Sequence, residues 1–188
     1  REVVKAGNER TAGQENKVLL FLHGATFPGY VAFDLDHENI SMMRHFARLG
    51  WDTFALDLEG YGQSTRPAVM DAPNQYPDRQ APISLEVTLA DVERTVDFIR
   101  HLRGVDKVHL LGWSSGAMAE GPRFAILHPD KVAKLVLYGA KYLGKVKRTP
   151  VLARALDLAA PPIGARLKLC RNGEWSDAML VDYAPGDD

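Results

Sequence analysis

The stretch VHLLGWSSGAMAE, residues 108–120, decides how the chain reads. It sets Ser114 between Gly112 and Gly116 at the end of an apolar run, in the order G-x-S-x-G. DKVHLLG (106–112) has the continuous apolar character of a strand buried on both faces, and residues 115–128 read as a helix. A sharp strand-to-helix turn holds the serine backbone in a strained conformation and needs tiny flanking residues, so that neighbouring backbone can pass. The hydroxyl is thereby lifted clear at the carboxyl edge of a sheet, beside a helix N-terminus whose free N–H groups favour developing negative charge. Ser114 is the candidate nucleophile, and the backbone N–H of Ser115 is a candidate oxyanion donor. A tight turn with no chemistry is the competing reading of the same five residues. Within the helix, Gly121-Pro122 predicts a kink or a restart.

Working outward, three more apolar runs have strand character: KVLLFLHG (17–24), WDTFALDLEG (51–60) and VAKLVLYGA (132–140). Between them lie helical patterns. NISMMRHFARLG (39–50) ends at Gly50. SLEVTLADVERTVDFIRHLRG (84–104) offers Ser84 as N-cap and an apolar face of Leu85, Leu89, Val92, Val96 and Ile99. A loop with Pro67, Pro73, Pro77 and Pro82 fills the interval to about residue 82. This alternation predicts an α/β fold, a mostly parallel sheet with helices on both faces and right-handed crossovers. Past residue 141 the pattern weakens. RTPVLARALDLAAPPIG reads as one short helix and ARLKLC as a short strand, so residues 1–140 form the N-terminal portion of the core and 141–188 either a lid segment or the start of its C-terminal portion, with no clear second domain.

Two loops at the strand ends bear on Ser114. In HGATFPG (23–29), Gly24 lets the backbone bend toward the serine, and the N–H of Ala25, or of Thr26, is the second candidate oxyanion donor. His23 closes the strand and reads as a satisfied structural histidine, with a general base as the rival reading. DLEGYGQS (57–64) lacks the lysine of a phosphate-binding P-loop and the full G-x-G-x-x-G of a dinucleotide fold. It reads as a tight turn in which Asp57 and Ser64 hydrogen-bond loop backbone.

Composition narrows the classes. A chain of 188 residues, 46% apolar and 25% charged, suits a globular domain. The net charge of −1 and the absence of a sustained basic stripe argue against nucleic acid, and KYLGKVKR (141–148) reads as a solvated loop. The longest apolar runs are strand-length, far short of the ~20 residues that span a bilayer. No signal-peptide pattern opens the chain, although it begins with Arg1 rather than Met, which leaves a trimmed start open. Cys170 is the single cysteine, which forbids an internal disulfide and a cysteine-rich metal site. A lone cysteine fits the cytoplasm without fixing the compartment.

Taken together, FLHGATFPG, ALDLEGYGQSTRP, LLGWSSGAMAE and HPDKVAKLVLYGA resemble the α/β-hydrolase fold superfamily, in its esterase, lactonase and epoxide-hydrolase-like branches, over residues 17–140. The resemblance maps Ser114 onto the nucleophile and Ala25 and Ser115 onto the oxyanion positions. It implies a serine hydrolase acting on a carboxylic ester, lactone or related acyl bond through an acyl-enzyme, with no metal or organic cofactor and with an acyltransferase as a close variant. Serine rather than aspartate at the elbow argues against haloalkane dehalogenase and epoxide hydrolase chemistry, which form an ester intermediate on a carboxylate. Trp113, Phe27, Tyr30 and Tyr61 read either as an apolar pocket mouth or as packing.

In this fold the triad follows the chain order Ser, Asp or Glu, His. The six histidines stand at 23, 37, 45, 101, 109 and 128, and only His128 follows Ser114. A helix starting at the elbow carries its far end roughly 20 Å away, at ~1.5 Å per residue, which puts His128 at the wrong edge of the sheet. ARLKLCRNGEWSDAM (165–179) resembles the strand and loop that present the acid. Asp177 and Glu174 are the candidates, with Asp182 behind them, unless the stretch belongs to a lid. The resemblance therefore implies a histidine supplied by a missing C-terminal segment or a second chain. An altered C-terminal end, and a non-catalytic relative that binds a small apolar ligand or a partner protein, are the other readings.

Overall fold

The five side chains of the central strand β2 (Val18–Leu22) are all buried, because both faces of the sheet are covered. The computed structural model describes residues 1–35, 37, 40–71 and 83–140, together with two further strands. Its chain divides into two compact units, Arg1–Thr149 and Pro150–Asp188.

In the first unit the chain order is β1 (Glu2–Val3), α1 (Glu9–Gln14), β2, α2 (Gly29–Phe33), α3 (Met42–Arg48), β3 (Asp52–Leu56), a 3₁₀ turn (Ala68–Asp71), α4 (Leu85–Arg103), β4 (Val108–Trp113), a π-helical turn (Gly116–Glu120), α5 (Gly121–Leu127) and β5 (Val132–Tyr138). The sheet order is β1-β3-β2-β4-β5. β2, β3, β4 and β5 run parallel, and β1 pairs antiparallel with β3. The four expected strands and the mostly parallel sheet are present. β1, α1 and α2 are additions that their short runs do not announce.

Strand alternation divides the core. Val18, Leu20 and Leu22 face one side and pack with Val92, Val96 and Ile99 of α4 and Phe124 of α5. Leu19 and Phe21 face the other and pack with Phe33 of α2 and Met43 of α3. The length of α4 agrees with its caps: Ser84 Oγ accepts from Val87 N–H at 3.4 Å, and Gly104 closes the helix at φ +62°. Gly121-Pro122 changes the winding, as its sequence predicts. Proline has no N–H to continue the ladder, and its ring presses on the carbonyl four residues back, so the turn before it widens to a π-helix before α5 begins.

In the second unit, β6 (Leu167–Arg171) and β7 (Glu174–Ala178) pair antiparallel, Arg171 opposite Glu174 and Lys168 opposite Asp177. The strand expected from ARLKLC exists, but Asp177 and Glu174 lie on the returning strand of a hairpin rather than on a loop. The expected helix from residue 148 onward and Asp182 lie outside the described residues.

Candidate active site

Parallel pairing brings the ends of β2, β3, β4 and β5 to one edge of the sheet. Trp113, the last residue of β4, lies opposite Tyr138 of β5, and Ser114 N–H donates to the Tyr138 carbonyl at 3.0 Å. Ser114 then turns out of the sheet with φ +54°, a left-handed conformation that costs a non-glycine residue about 1–2 kcal/mol. Its own carbonyl accepts from Ala117 N–H and Met118 N–H, both at 3.0 Å, so the helical turn begins directly behind it.

The two flanking glycines are set by contact. A Cβ on Gly112 would collide with the Gly116 carbonyl oxygen, and one on Gly116 would meet the carbonyl oxygens of Leu22 and His23 at 2.5 and 2.7 Å. The elbow thus rides directly on the end of β2. From that end the 23–29 loop bends over it: a Cβ on Gly24 would lie 2.9 Å from Ser114 Cβ and 3.4 Å from Ser114 Oγ. Ser114, Ser115 and the loop bearing Ala25 and Thr26 are therefore neighbours. Among the described residues no hydrogen bond uses the N–H of Ala25 or Thr26.

His23 is 1% exposed and both its ring nitrogens are engaged. Leu58 N–H donates to Nε2 at 3.2 Å, which leaves the proton on Nδ1, and Nδ1 donates to the Gly24 carbonyl at 2.7 Å. Burial pushes its pKa below that of an ordinary histidine, so it stays neutral, with no free lone pair to take a proton. It is a structural histidine.

The 57–64 turn does what the sequence suggests and more. Ser64 Oγ donates to the Asp57 carbonyl, and the Asp57 carboxylate accepts from Gly29 N–H at 2.7 Å and Gln63 N–H at 3.2 Å. Tyr61, read from the sequence as pocket mouth or packing, donates its hydroxyl to the Ala25 carbonyl at 2.6 Å and packs its ring on His23 at 4.6 Å. Sequence reasoning missed that link, which joins residues 36 apart. Phe27 stacks near-parallel to Trp113 at 6.4 Å and is half exposed, while Phe33 meets the same indole edge-on from the core.

Glu120 also escaped the sequence reading. It is buried on the π-helical turn behind Ser114, where burial pushes its carboxyl above the usual carboxylate range and Thr88 Oγ1 lies 3.3 Å from Oε1. A charged residue within a short, glycine- and alanine-rich turn was its only signal.

His128 lies at the far end of the unit. It follows α5 and precedes β5, whose first residue, Val132, pairs with the first residue of β4, Val108. Its ring packs on Phe124 at 4.8 Å, and Nε2 lies 3.6 Å from Glu93 Oε1. A strand of six residues separates that edge from Ser114, roughly 20 Å at ~3.3 Å per residue. Asp177 belongs to the second unit, on β7. Among the described residues no group of three or more His, Cys, Asp or Glu is placed to hold a metal, and no helix is long and apolar enough to cross a membrane.

A family model described as the alpha/beta hydrolase fold matches residues 17–165. The chain is 27% identical over 161 residues to a 2-hydroxy-6-oxononadienedioate/2-hydroxy-6-oxononatrienedioate hydrolase of Burkholderia vietnamiensis, covering 83% of this chain and 49% of that protein. It is 47% identical over 66 residues to the poly(3-hydroxyalkanoate) polymerase subunit PhaC of Allochromatium vinosum, covering 32% of this chain and 18% of that protein. Among solved structures, a thioesterase domain from the curacin biosynthetic pathway superposes with a TM-score of 0.53 at 21% identity, covering 89% of this chain and 49% of that one. The likeness to that domain is one of fold. The chain spans about half the length, or less, of the curated relatives it matches.

Proposed function

The chain belongs to the alpha/beta hydrolase fold family, and from that membership we propose that it acts as a serine hydrolase on a carboxylic ester, lactone or related acyl bond. The observation that carries the reading is Ser114 itself, strained at φ +54° at the carboxyl edge with the 23–29 loop packed against its side chain. Ser114 Oγ attacks the acyl carbon, and its proton passes to a base. The carbonyl oxygen becomes an oxyanion facing the N–H groups of Ser115 and Ala25, each such donor contributing about 3 kcal/mol of transition-state stabilisation in comparable sites. Collapse of the tetrahedral intermediate expels the alcohol, which takes the proton from the base. Water activated by the same base then hydrolyses the acyl-enzyme.

We assign the base to a histidine supplied from outside these 188 residues, because His23 is fully hydrogen-bonded and His128 stands at the opposite edge of the sheet. The carboxylate that orients it is Asp177 or is likewise supplied from outside these residues. No step requires a metal or an organic cofactor.

The test is an intact-mass spectrum of the protein with its histidine-bearing segment present, before and after a fluorophosphonate probe, followed by peptide mapping. A single adduct on Ser114, lost in Ser114→Ala, is the expected result. Unchanged turnover of a p-nitrophenyl ester by Ser114→Ala refutes the assignment.

A further inference from the structure

The loop beside Ser114 is gripped through the Gly24 and Ala25 carbonyl oxygens, which leaves the Ala25 and Thr26 N–H groups free. In a trans peptide the C=O and the N–H point in opposite directions, so holding one aims the other. His23 Nδ1–H holds the Gly24 carbonyl at 2.7 Å and thereby turns Ala25 N–H away from the imidazole. The Tyr61 hydroxyl holds the Ala25 carbonyl at 2.6 Å and thereby fixes the direction of Thr26 N–H.

The two anchors form one unit. The Tyr61 ring packs on the His23 imidazole, and the His23 tautomer is set by Leu58 N–H from the same turn that carries Tyr61. That turn is closed by Tyr61 N–H donating to the Leu58 carbonyl at 2.9 Å. Its Asp57 carboxylate accepts from Gly29 N–H and so holds the other end of the loop. The 57–64 turn therefore clamps the 23–29 loop at Ala25 and at Gly29, with the free N–H groups between them.

We propose that Tyr61 is a positioning residue of this site: its hydroxyl, through the Ala25 carbonyl, aims Thr26 N–H, the loop's other candidate donor, and holds in place the chain that carries Ala25 N–H beside the oxygen that becomes negative on Ser114 attack. The proposal rests on the serine-hydrolase reading above. Its consequence is specific. The hydroxyl contributes to the chemical step and not to the affinity for the substrate, because it touches neither the acyl group nor Ser114.

Tyr61→Phe tests this, since it keeps the ring on His23 and removes only the donor. Removing an oxyanion donor outright costs roughly 10²–10³ in rate, so misaiming one should lower the maximal rate of fluorophosphonate labelling of Ser114 by about 10-fold to 100-fold. The probe concentration giving half-maximal rate should stay unchanged. The backbone amide NMR signals of Ala25 and Thr26 should shift or broaden in the same variant. Labelling at the wild-type maximal rate, or amide signals that do not move, overturns the role of Tyr61. With the histidine-bearing segment present, a wild-type protein that gives no adduct on Ser114 overturns the serine-hydrolase reading instead, so the two failures are distinct.

Discussion

Gly116→Ala sets two physical effects against each other. Gly116 is the first residue of the helical turn behind Ser114, with Ser115 before it already in right-handed helical geometry. Helix propensity alone makes alanine better than glycine there by about 1 kcal/mol. Contact opposes it. The new Cβ would meet Leu22 O at 2.5 Å and His23 O at 2.7 Å, where ordinary contact begins at 3.4 Å, so two backbone oxygens stand about 0.9 and 0.7 Å too close. Both belong to the end of the buried central strand and have no flexible tail to move aside. Forced overpacking of this kind costs about 1–3 kcal/mol and occasionally more. With two oxygens engaged at once the upper end applies, and the net loss after the propensity gain is about 2 kcal/mol. For a chain of this size that lowers Tm by roughly 4–8 °C. The relief must come from moving the elbow off β2 by nearly 1 Å, and misplacement on that scale reduces the chemical step by about 100-fold. Differential scanning calorimetry and fluorophosphonate labelling of the same preparation read both effects. A Tm equal to or above wild type would show that propensity governs the position and that the close approach to β2 is not a constraint.

Ser114→Gly relieves the left-handed strain, a gain of about 1–2 kcal/mol less roughly 0.5–1 for the extra freedom of the unfolded chain, so it should melt ~1–3 °C above Ser114→Ala. A Ser114→Gly protein that melts below Ser114→Ala refutes a strained elbow. His23 has a folded-state pKa held below its unfolded value of 6.5, so its contribution to stability is complete above pH 6.5 and is lost as the pH falls from there through the folded-state value. Urea midpoints measured at pH 7.5 and 5.5 should therefore differ less in His23→Gln than in wild type, and an identical difference refutes a neutral buried imidazole. His128→Ala removes a ring on Phe124 and a partly exposed contact with Glu93, together worth about 1 kcal/mol of stability, and leaves Ser114 labelling unchanged. Loss of labelling in a folded His128→Ala protein would return that histidine to the mechanism.

What was legible in the sequence, and what was not, follows from how many residue types satisfy each constraint. The central strand was legible because burial on both faces demands an unbroken apolar run, and Val18–Leu22 supplies one. The elbow was legible because Gly112 and Gly116 pass within contact of backbone, where no side chain fits. The helix over Leu85–Arg103 announced itself through a cap and a repeating apolar face. β1, two residues on a sheet edge, carries too short a pattern to register. Asp177 reads as a loop residue from the apolar run before it, whereas it lies on β7 opposite Lys168 of β6. The aim of the loop beside Ser114 was silent for a different reason. Ala25 is held by a side chain acting on a carbonyl from a distant turn, and neither the tyrosine nor the alanine looks unusual where it stands. The elbow at Ser114 is specified by the absence of side chains, which leaves a mark in glycine. The loop facing it is held by an ordinary hydrogen bond between segments, which leaves none until the fold brings them together. A variant that conserves every glycine and loses only the Tyr61 hydroxyl should therefore keep the fold and the elbow while losing rate.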